Sequence, residues 1–364
     1  MRRFKGISDA RGVIFGSMEK TPIDIYLMDP LANFMGQQTT SGIVLFASAL
    51  VAIIMANSPW ADEYARLWHH KLSVGYDDFL ISNTLHHWIN DGLMAVFFFV
   101  IGLELKREVM AGELRNPRDA VLPIAAGLGG MLLPALIYIA FNPSGATHDG
   151  WGIPMATDIA FALGIVYLLG DRVPLSLKIF LTALAIADDL GAVLVIAFFY
   201  TSSIDLVSLA VGGVFMVALV GSNLLGVRNV VWYGILGIGG LWLAFLLSGV
   251  HATIAAVLAA FTIPATVKIS DNRFVERIHT LVTRFDRAHP NDVTLVTDEQ
   301  LQILDDIRTV ARFALTPLQR LEHAMHPFVA FVVMPVFALA NAGITFPSDV
   351  LSHITGPGWS SGCW

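Results

Sequence analysis

Apolar runs long enough to cross a lipid bilayer recur along this chain, and they constrain its fold more than any other feature. A helix needs about 20 consecutive apolar residues to cross the hydrocarbon core. The sequence predicts nine spans, at residues 40–57, 88–105, 120–141, 154–169, 179–200, 206–225, 230–244, 245–263 and 327–344. Only 14% of the 364 residues are charged, against about a quarter in ordinary soluble domains. We therefore expect an all-α polytopic membrane protein, because a helix satisfies its own backbone hydrogen bonds in lipid.

The placement of the basic residues predicts the orientation of these spans. With a cytoplasmic N-terminus, all of the 22 Lys and Arg residues except Arg66 and Lys71 fall in cytoplasmic segments. This asymmetry follows the positive-inside rule. The predicted order is a cytoplasmic N-terminal leader (1–38), a membrane domain of eight spans (39–264), a cytoplasmic loop (265–326), a ninth span (327–344) and an external tail (345–364).

Two connections between spans carry patterns of their own. The external segment 58–87 contains Leu72-Ser73-Val74-Gly75-Tyr76, which weakly favours a short β-hairpin. In the 265–326 loop, apolar residues recur at helical spacing from Leu301 to Ala314, after Asp298. This pattern predicts an amphipathic helix. We expect the helix to pack on the inner face of the membrane domain, and the alternative is that it binds a partner.

Two adjacent acids, Asp188 and Asp189, lie in the middle of the apolar run from Ile179 to Phe199. An ionised aspartate at the bilayer centre costs about 3 kcal/mol on insertion scales. Such an acid usually marks a proton or ion site, and the alternative is that the pair closes a helix and faces water. Two carboxylates this close titrate as a coupled unit in a poorly solvated site. The pair therefore suits competition between protons and a hard monovalent cation such as Na⁺ or Li⁺.

A third acid, Asp158, follows Thr157 near the start of the fourth predicted span. Gly152 and Pro154 precede it, and the apolar run that ends at Leu169 is short for a straight crossing. A helix interrupted at membrane depth would place backbone ends beside the acid, as in the midplane ion sites of many transporters. A Thr-Asp N-cap at the membrane surface fits the same residues. The spacing leaves both alternatives open.

Together these motifs closely resemble the NhaA-type sodium/proton antiporters. The resemblance is carried by Thr157-Asp158, by Ala-Ile-Ala-Asp-Asp-Leu-Gly at 185–191, and by the blocks 90–98, 101–108, 172–181, 248–253, 320–327 and 337–343. It implies a Na⁺ (or Li⁺)/H⁺ antiporter of the bacterial inner membrane, with an NhaA-like fold and a discontinuous helix at the ion site. It also implies a homodimer, which we place at the external segment 58–87, and it implies no cofactor besides the transported ions.

The resemblance also implies roles for individual residues. Asp188 and Asp189 match the ion-binding pair, and Thr157 and Asp158 match the residues where unwound helices cross. Six charged residues match a cytoplasmic cluster associated with the response to pH, namely Glu104, Arg107, Glu108, Glu322, His323 and His326. His251 matches a histidine that is also linked to pH dependence. For each of them the alternative is a solvated charge at the membrane interface.

The C-terminal part departs from the family pattern. Family members continue with three more helices after the Asn341-Ala342-Gly343 block, and the first of these carries a lysine that compensates the helix crossing. Here residues 345–364 contain no further apolar span, and no lysine lies deep in a membrane run. We therefore expect the second half of the inverted repeat to be truncated, which makes a non-transporting remnant of an antiporter one alternative.

Two further classes of protein compete with an antiporter. A membrane-embedded metal-dependent enzyme would use Asp158, Asp188 and Asp189 as ligands. The chain offers no third acid three or four residues from the pair and no His-Glu zinc motif. A nucleic-acid-binding protein is unsupported, because the basic residues are dispersed along the predicted cytoplasmic edges.

Overall fold

Helices dominate the chain, as the apolar runs predict. The computed structural model describes residues 38–76, 79–145, 147–155, 172–199, 204–288 and 296–345, with the single positions 157, 162, 166 and 169. In chain order the helices are α1 (Gln38–Ala56), α2 (Ala61–His69), α3 (Leu85–Ala111), α4 (Pro117–Phe141), α5 (Leu175–Phe199), α6 (Leu206–Leu224), α7 (Val230–Ser248), α8 (Ala252–Thr262), α9 (Asp271–Arg287), α10 (Asp298–Ala314) and α11 (Pro317–Asn341). The protein is a helical membrane protein.

Five helices in the described ranges are long and apolar enough to cross a membrane, namely α3, α4, α6, α7 and α11. A sixth span results if α1 and α2, which meet at a bend of 114°, count as one. The predicted total of nine spans is therefore not reached in this part of the chain. The predicted span 154–169 falls mostly outside the described residues. Of its described positions, Pro154 and Met155 end a 3₁₀ helix, and Ala162 and Val166 are assigned to an α-helix.

Several helices begin or end outside the predicted spans, and local caps explain two of these differences. α3 begins at Leu85, because the Thr84 side chain accepts a hydrogen bond from the backbone N–H of His87. α11 begins at Pro317, ten residues before the predicted span, where Thr316 and Gln319 form a reciprocal capping box. The eighth helix does not begin at residue 245. The preceding helix runs on to Ser248, and Gly249, at φ +79°, makes the left-handed turn before α8.

The predicted external hairpin is present. β1 (Lys71–Tyr76) pairs antiparallel with β2 (Phe79–Thr84), with Lys71 opposite Thr84. A hydrogen bond of 2.8 Å joins the Ser73 and Ser82 hydroxyls across the two strands. The hairpin lies between α2 and α3, at the end of α3 that the basic residues predict to be external.

The predicted amphipathic helix is also present, as α10, but its packing partner differs from the expectation. Its buried side chains Ile303 and Val310 pack on Ile269, Leu281 and Ala288, so the segment has a small core of its own. The partner helix α9 was not predicted. Its apolar residues recur at helical spacing (Phe274, Ile278, Leu281 and Phe285), which is the signal that would have identified it.

Close packing of small residues joins α3 to α8 in the main core. A Cβ atom built on Gly102 would lie 2.7 Å from the Cβ of Ala260, so the two helices approach as closely as their backbones allow. Lys106, one turn further along α3, donates from Nζ to the carbonyl oxygens of Phe261 and Ile263 at 2.6 and 2.5 Å. A cation at that position satisfies carbonyls at the negative end of the α8 dipole.

Asp205 caps the N-terminus of α6 and gives the fold a pH dependence. Hydrogen bonds from the Ser208 hydroxyl and from the backbone N–H groups of Ser208 and Val207 hold the pKa of the Asp205 carboxyl below its usual value. A lowered folded-state pKa adds stability above the ordinary value of about 4, and this stability is lost as the pH falls through the folded-state value. We expect Asp205→Ala to lower the thermal midpoint in detergent at pH 7 and to lower it less at pH 3. Asp205→Asn, which retains a capping side chain, should melt near the unmodified protein at pH 7.

Candidate functional site

The side chain of Asp188 is buried in the middle of α5, with 3% of its surface exposed. Its Oδ2 accepts a hydrogen bond from the hydroxyl of Thr157, a residue 31 positions earlier in the chain. Its Oδ1 is buried and finds no hydrogen-bond partner among the described residues. A buried carboxylate oxygen without a partner is costly, which makes this atom a candidate position for a proton or a cation.

Helix α4 packs closely against α5 beside this carboxylate. A Cβ atom on Gly127 of α4 would lie 3.6 Å from the backbone nitrogen of Asp188. One turn further along, Gly191 of α5 lies against the thioether of Met131. Met131 belongs to an apolar cluster with Ala135 and Met155. These apolar neighbours keep the local dielectric low, which strengthens any electrostatic interaction that the carboxylate makes.

Thr157 follows a 3₁₀ helix (His148–Met155) in the chain and is itself assigned to no helix or strand. Asp158 lies outside the described residues, and so does the side chain of Asp189, whose backbone continues α5. The structure thus brings Thr157 and Asp188 together and leaves the other two predicted site residues as predictions. Among the residues that can be described, no group of three or more His, Cys, Asp or Glu side chains is arranged to hold a metal ion.

A second charged site links α3 to α11. Arg107 donates from Nη1 to Oε1 of Glu322, and its Nη2 lies 3.2 Å from Oε1 of Glu108. The Glu322 side chain is only 8% exposed, whereas that of Arg107 is 40% exposed. Glu104 and His326 lie within electrostatic reach of the same pair. Five of the seven residues predicted to respond to pH therefore meet at one place, and His323 acts on His326 from the same helix.

His251 lies apart from this charged site, in the break between α7 and α8. There it acts electrostatically on Asp91 of α3, whose Oδ2 is 2.9 Å from Nε2 of His87. Thirteen residues of helix separate Asp91 from Glu104, which is about 20 Å. The predicted cytoplasmic cluster and His251 thus lie toward opposite ends of α3. Asp91 and His87 were not predicted as site residues, although an acid at the start of an apolar run is itself a signal.

Near Asp91 the helices are locally widened. α3 and α7 each contain a π-bulge, at Ile89–Leu93 and Gly237–Trp242. The indole nitrogen of Trp242 in the second bulge donates to the backbone oxygen of Asp91 in the first, at 3.1 Å. Bulges of this kind are frequent at functional sites, because they re-aim side chains and leave backbone groups to other partners.

Comparison with known proteins gives consistent matches along most of the chain. A family model described as Na⁺/H⁺ antiporter 1 matches residues 32–361. The Na(+)/H(+) antiporter NhaA of Oleidesulfovibrio alaskensis is 50% identical over 337 residues, which cover 92% of this chain and 74% of that protein. NhaA 2 of Syntrophotalea carbinolica is 47% identical over 333 residues (91% and 76%), and NhaA of Acidithiobacillus ferrooxidans is 50% identical over 327 residues (88% and 74%).

Proposed function

Because the chain belongs to the Na⁺/H⁺ antiporter 1 family, we propose that it exchanges Na⁺ for H⁺ across its membrane, with Asp188 as the group for which the two ions compete. The observation that carries this role is the buried carboxylate, with one oxygen on the Thr157 hydroxyl and the other without a partner among the described residues. The relatives are named as antiporters, so we propose transport without a cofactor and without enzymatic activity.

Competition at one carboxylate is sufficient for exchange. A protonated Asp188 is neutral and gives no charge to hold a cation, whereas the ionised form offers two oxygens to a hard ion such as Na⁺ or Li⁺. Binding of the cation therefore expels the proton, and protonation expels the cation. In our proposal Asp189 completes the acidic pair, and Thr157 and Asp158 form the opposite wall of the site at an interrupted helix.

The proposed localisation, dimer and pH response also follow from the resemblance to the family. We place the protein in the bacterial inner membrane with a cytoplasmic N-terminus, which the distribution of Lys and Arg supports. We propose a homodimer formed through the external segment 58–87, where the two-stranded β1–β2 sheet leaves strand edges that a second copy can pair with. The residues around Arg107 and His251 are proposed to set the pH response, because histidines and clustered acids can titrate near neutrality.

Proton movement in proteoliposomes tests the proposal directly. The purified chain is reconstituted with an acidic lumen, and a pH-sensitive dye follows the lumen after NaCl, LiCl or KCl is added outside. We expect Na⁺ or Li⁺ to collapse the pH gradient and K⁺ to leave it unchanged. Failure of both Na⁺ and Li⁺ to move protons with correctly folded protein would overturn the proposal and favour the non-transporting alternative.

Removing the guanidinium that joins α3 to α11 provides a test of the pH response. In Arg107→Gln, Glu322 stays largely buried without its cation, and we expect the pH profile of exchange to shift. The unfolding free energy should fall by about 1–2 kcal/mol, a value kept small because Arg107 is partly exposed. Arg66→Gln removes a comparable but exposed pair with Glu63 and should change neither quantity. An unaltered pH profile in Arg107→Gln would argue against the regulatory role.

A further inference from the structure

Three polar side chains close a ring of hydrogen bonds between α3 and α11, at the end of α3 that the basic residues predict to be external. Nε2 of His86 lies 3.1 Å from Oδ1 of Asn341, and Nδ2 of Asn341 donates to Oδ1 of Asn90 at 2.9 Å. Nδ2 of Asn90 lies 3.4 Å from Nδ1 of His86, one turn earlier on α3. Asn341 is the last residue of α11, so two of the three bonds join the two helices.

The orientation of the Asn341 amide fixes the direction of the ring. Its Nδ2 also donates to the carbonyl of Phe337, one turn earlier on α11, at 3.0 Å. Its Oδ1 is therefore left to accept from His86, which places the imidazole hydrogen on Nε2. Nδ1 of His86 is then the acceptor for the amide of Asn90. The ring as observed fits a neutral imidazole.

An imidazolium does not fit the same ring. Three closed bonds need three donors and three acceptors, and each amide and the neutral imidazole contribute one of each. Protonated His86 has two donors and no acceptor, so one bond is lost whichever way the Asn90 amide turns. Hydrogen bonds from a charged donor are about twice as strong as neutral ones, so protonated His86 should take Oδ1 of Asn90. The amino groups of Asn90 and Asn341 then face each other, and the bond between the helices is lost.

Neighbouring ionisable groups leave this ring to its three members. Within the described ranges, none of them makes a hydrogen bond or an ion pair with the His86 side chain. Residues 335–341 of α11 contain no ionisable side chain. The groups on the elements around His86 are Tyr64 of α2, His70 and Lys71 at the start of β1, His87 and Asp91 of α3, and His251 before α8.

Two further contacts join α3 to α11, so the ring is one of three levels. Arg107 binds Glu322 at the opposite end of α3, and Val100 packs with Val329 and Val333 between the two ends.

The external end of α11 is also held from another side. The hydroxyl of Tyr64 in α2 donates to the carbonyl of Leu339, and Nδ2 of Asn57, just after α1, donates to that of Ile344. Loss of the bond between Asn90 and Asn341 would therefore loosen α3 from α11 without releasing α11 from α1 and α2.

We propose that His86, Asn90 and Asn341 form a proton-controlled latch between α3 and α11. Asn90 bonds to Asn341 while His86 is neutral, and it turns its oxygen to His86 when His86 is protonated. Histidine side chains change charge between about pH 5 and pH 8, so the latch loosens as the pH on the predicted external side falls. The latch concerns the packing of two helices, and it holds whether or not the chain exchanges ions.

A double-mutant cycle between Asn90 and Asn341 tests the latch in the full chain. Thermal midpoints in detergent are compared at pH 8 and pH 5 for Asn90→Ala, Asn341→Ala and the double variant. At pH 8 we expect the double variant to lose about 2 °C less than the sum of the single losses, the shift for one hydrogen bond. At pH 5 the losses should add. Additive losses at pH 8, or equal non-additivity at both pH values, would overturn the proposal.

Two histidine variants make the test specific to His86. Repeated in a His86→Gln background, whose amide does not titrate, the cycle should give the same coupling at pH 8 and pH 5. His279→Gln makes the same change at an exposed position of α9, so the coupling there should still depend on pH. Coupling that stays dependent on pH in His86→Gln would assign the effect to another group and overturn the proposal.

Nitrogen NMR of the unaltered chain tests the protonation state without removing any hydrogen bond. With ¹⁵N-histidine incorporated, the signal that disappears in His86→Gln belongs to His86. We expect this signal to show the Nε2–H tautomer at pH 8 and the imidazolium at pH 5. An Nδ1–H tautomer at pH 8, or an imidazole that is still neutral at pH 5, would overturn the proposal even if the alanine variants do not fold.

Discussion

Replacing Asp188 by asparagine is expected to abolish Na⁺-dependent proton movement in proteoliposomes, a loss of at least about 100-fold relative to the unmodified chain. Asparagine has nearly the same shape and can still accept the hydrogen bond from Thr157. It cannot ionise, so it neither carries a proton nor supplies the charge that holds a cation at a poorly solvated site. The change therefore removes both halves of the competition while it preserves the packing of α4 and α5. A 100-fold loss of rate corresponds to about 2.7 kcal/mol, which is within the range of free energy that one charged hydrogen-bonding group contributes at a buried site.

The matched control for this change is Asp205→Asn. It makes the same chemical substitution at an exposed helix cap, where asparagine replaces aspartate with little loss. Asp205→Asn should retain the exchange rate of the unmodified chain, and both variants should elute and melt as folded protein. Exchange that persists in Asp188→Asn would remove Asp188 from the site and would direct attention to Asp189 and Asp158. Equal losses in both variants would indicate a defect in folding or reconstitution.

The sequence predicts the helical class and the β1–β2 hairpin, and it singles out Asp188 as a candidate site residue, because each of these rests on a local pattern. An acid in the middle of an apolar run is costly wherever the helix packs, so Asp188 can be singled out without knowing its neighbours. The amphipathic spacing from Leu301 to Ala314 predicts α10 for the same reason. The predicted packing partner of α10 was wrong, because the prediction overlooked the apolar residues at helical spacing on α9. These residues supply the apolar surface against which α10 packs.

Contacts between distant segments could not be predicted in this way. The family resemblance places Arg107 and Glu322 in one cluster, but no local pattern predicts their ion pair, because the two residues are 215 positions apart and pair only through the packing of α3 against α11. The π-bulges near Asp91 and Trp242 could not be predicted either, because the local widening of each helix depends on contacts with the other helix. Ser248, Gly249 and His251 interrupt the apolar run in the sequence, but hydropathy alone placed the boundary between α7 and α8 at residue 245, because apolar residues lie on both sides of the turn at Gly249.

The close approach of α3 and α8 leads to the second large expected effect. Gly102→Ala should lower the free energy of unfolding, measured by titration with a denaturing detergent, by about 1–3 kcal/mol. The added Cβ would lie 2.7 Å from the Cβ of Ala260 and 3.2 Å from the Cα of Val257. Neither atom is the end of a flexible side chain, so the helices must separate. Separation also pulls Lys106 from the carbonyls of Phe261 and Ile263. These costs outweigh the fraction of a kcal/mol that alanine gains over glycine in a helix.

Two partner variants make this prediction specific to the interface. Gly130→Ala in α4 places the same methyl group in open space, so it should leave the stability unchanged or raise it by about 0.5–1 kcal/mol. Ala260→Gly removes the nearest clashing atom, so the double variant Gly102→Ala with Ala260→Gly should recover part of the loss, with a coupling energy of about 0.5–3 kcal/mol in a double-mutant cycle. Additive effects of the two changes would show that α3 and α8 do not touch at Gly102. The loss of unfolding free energy that remains in the double variant then measures the cost of the contact between the added methyl group and the backbone of Val257.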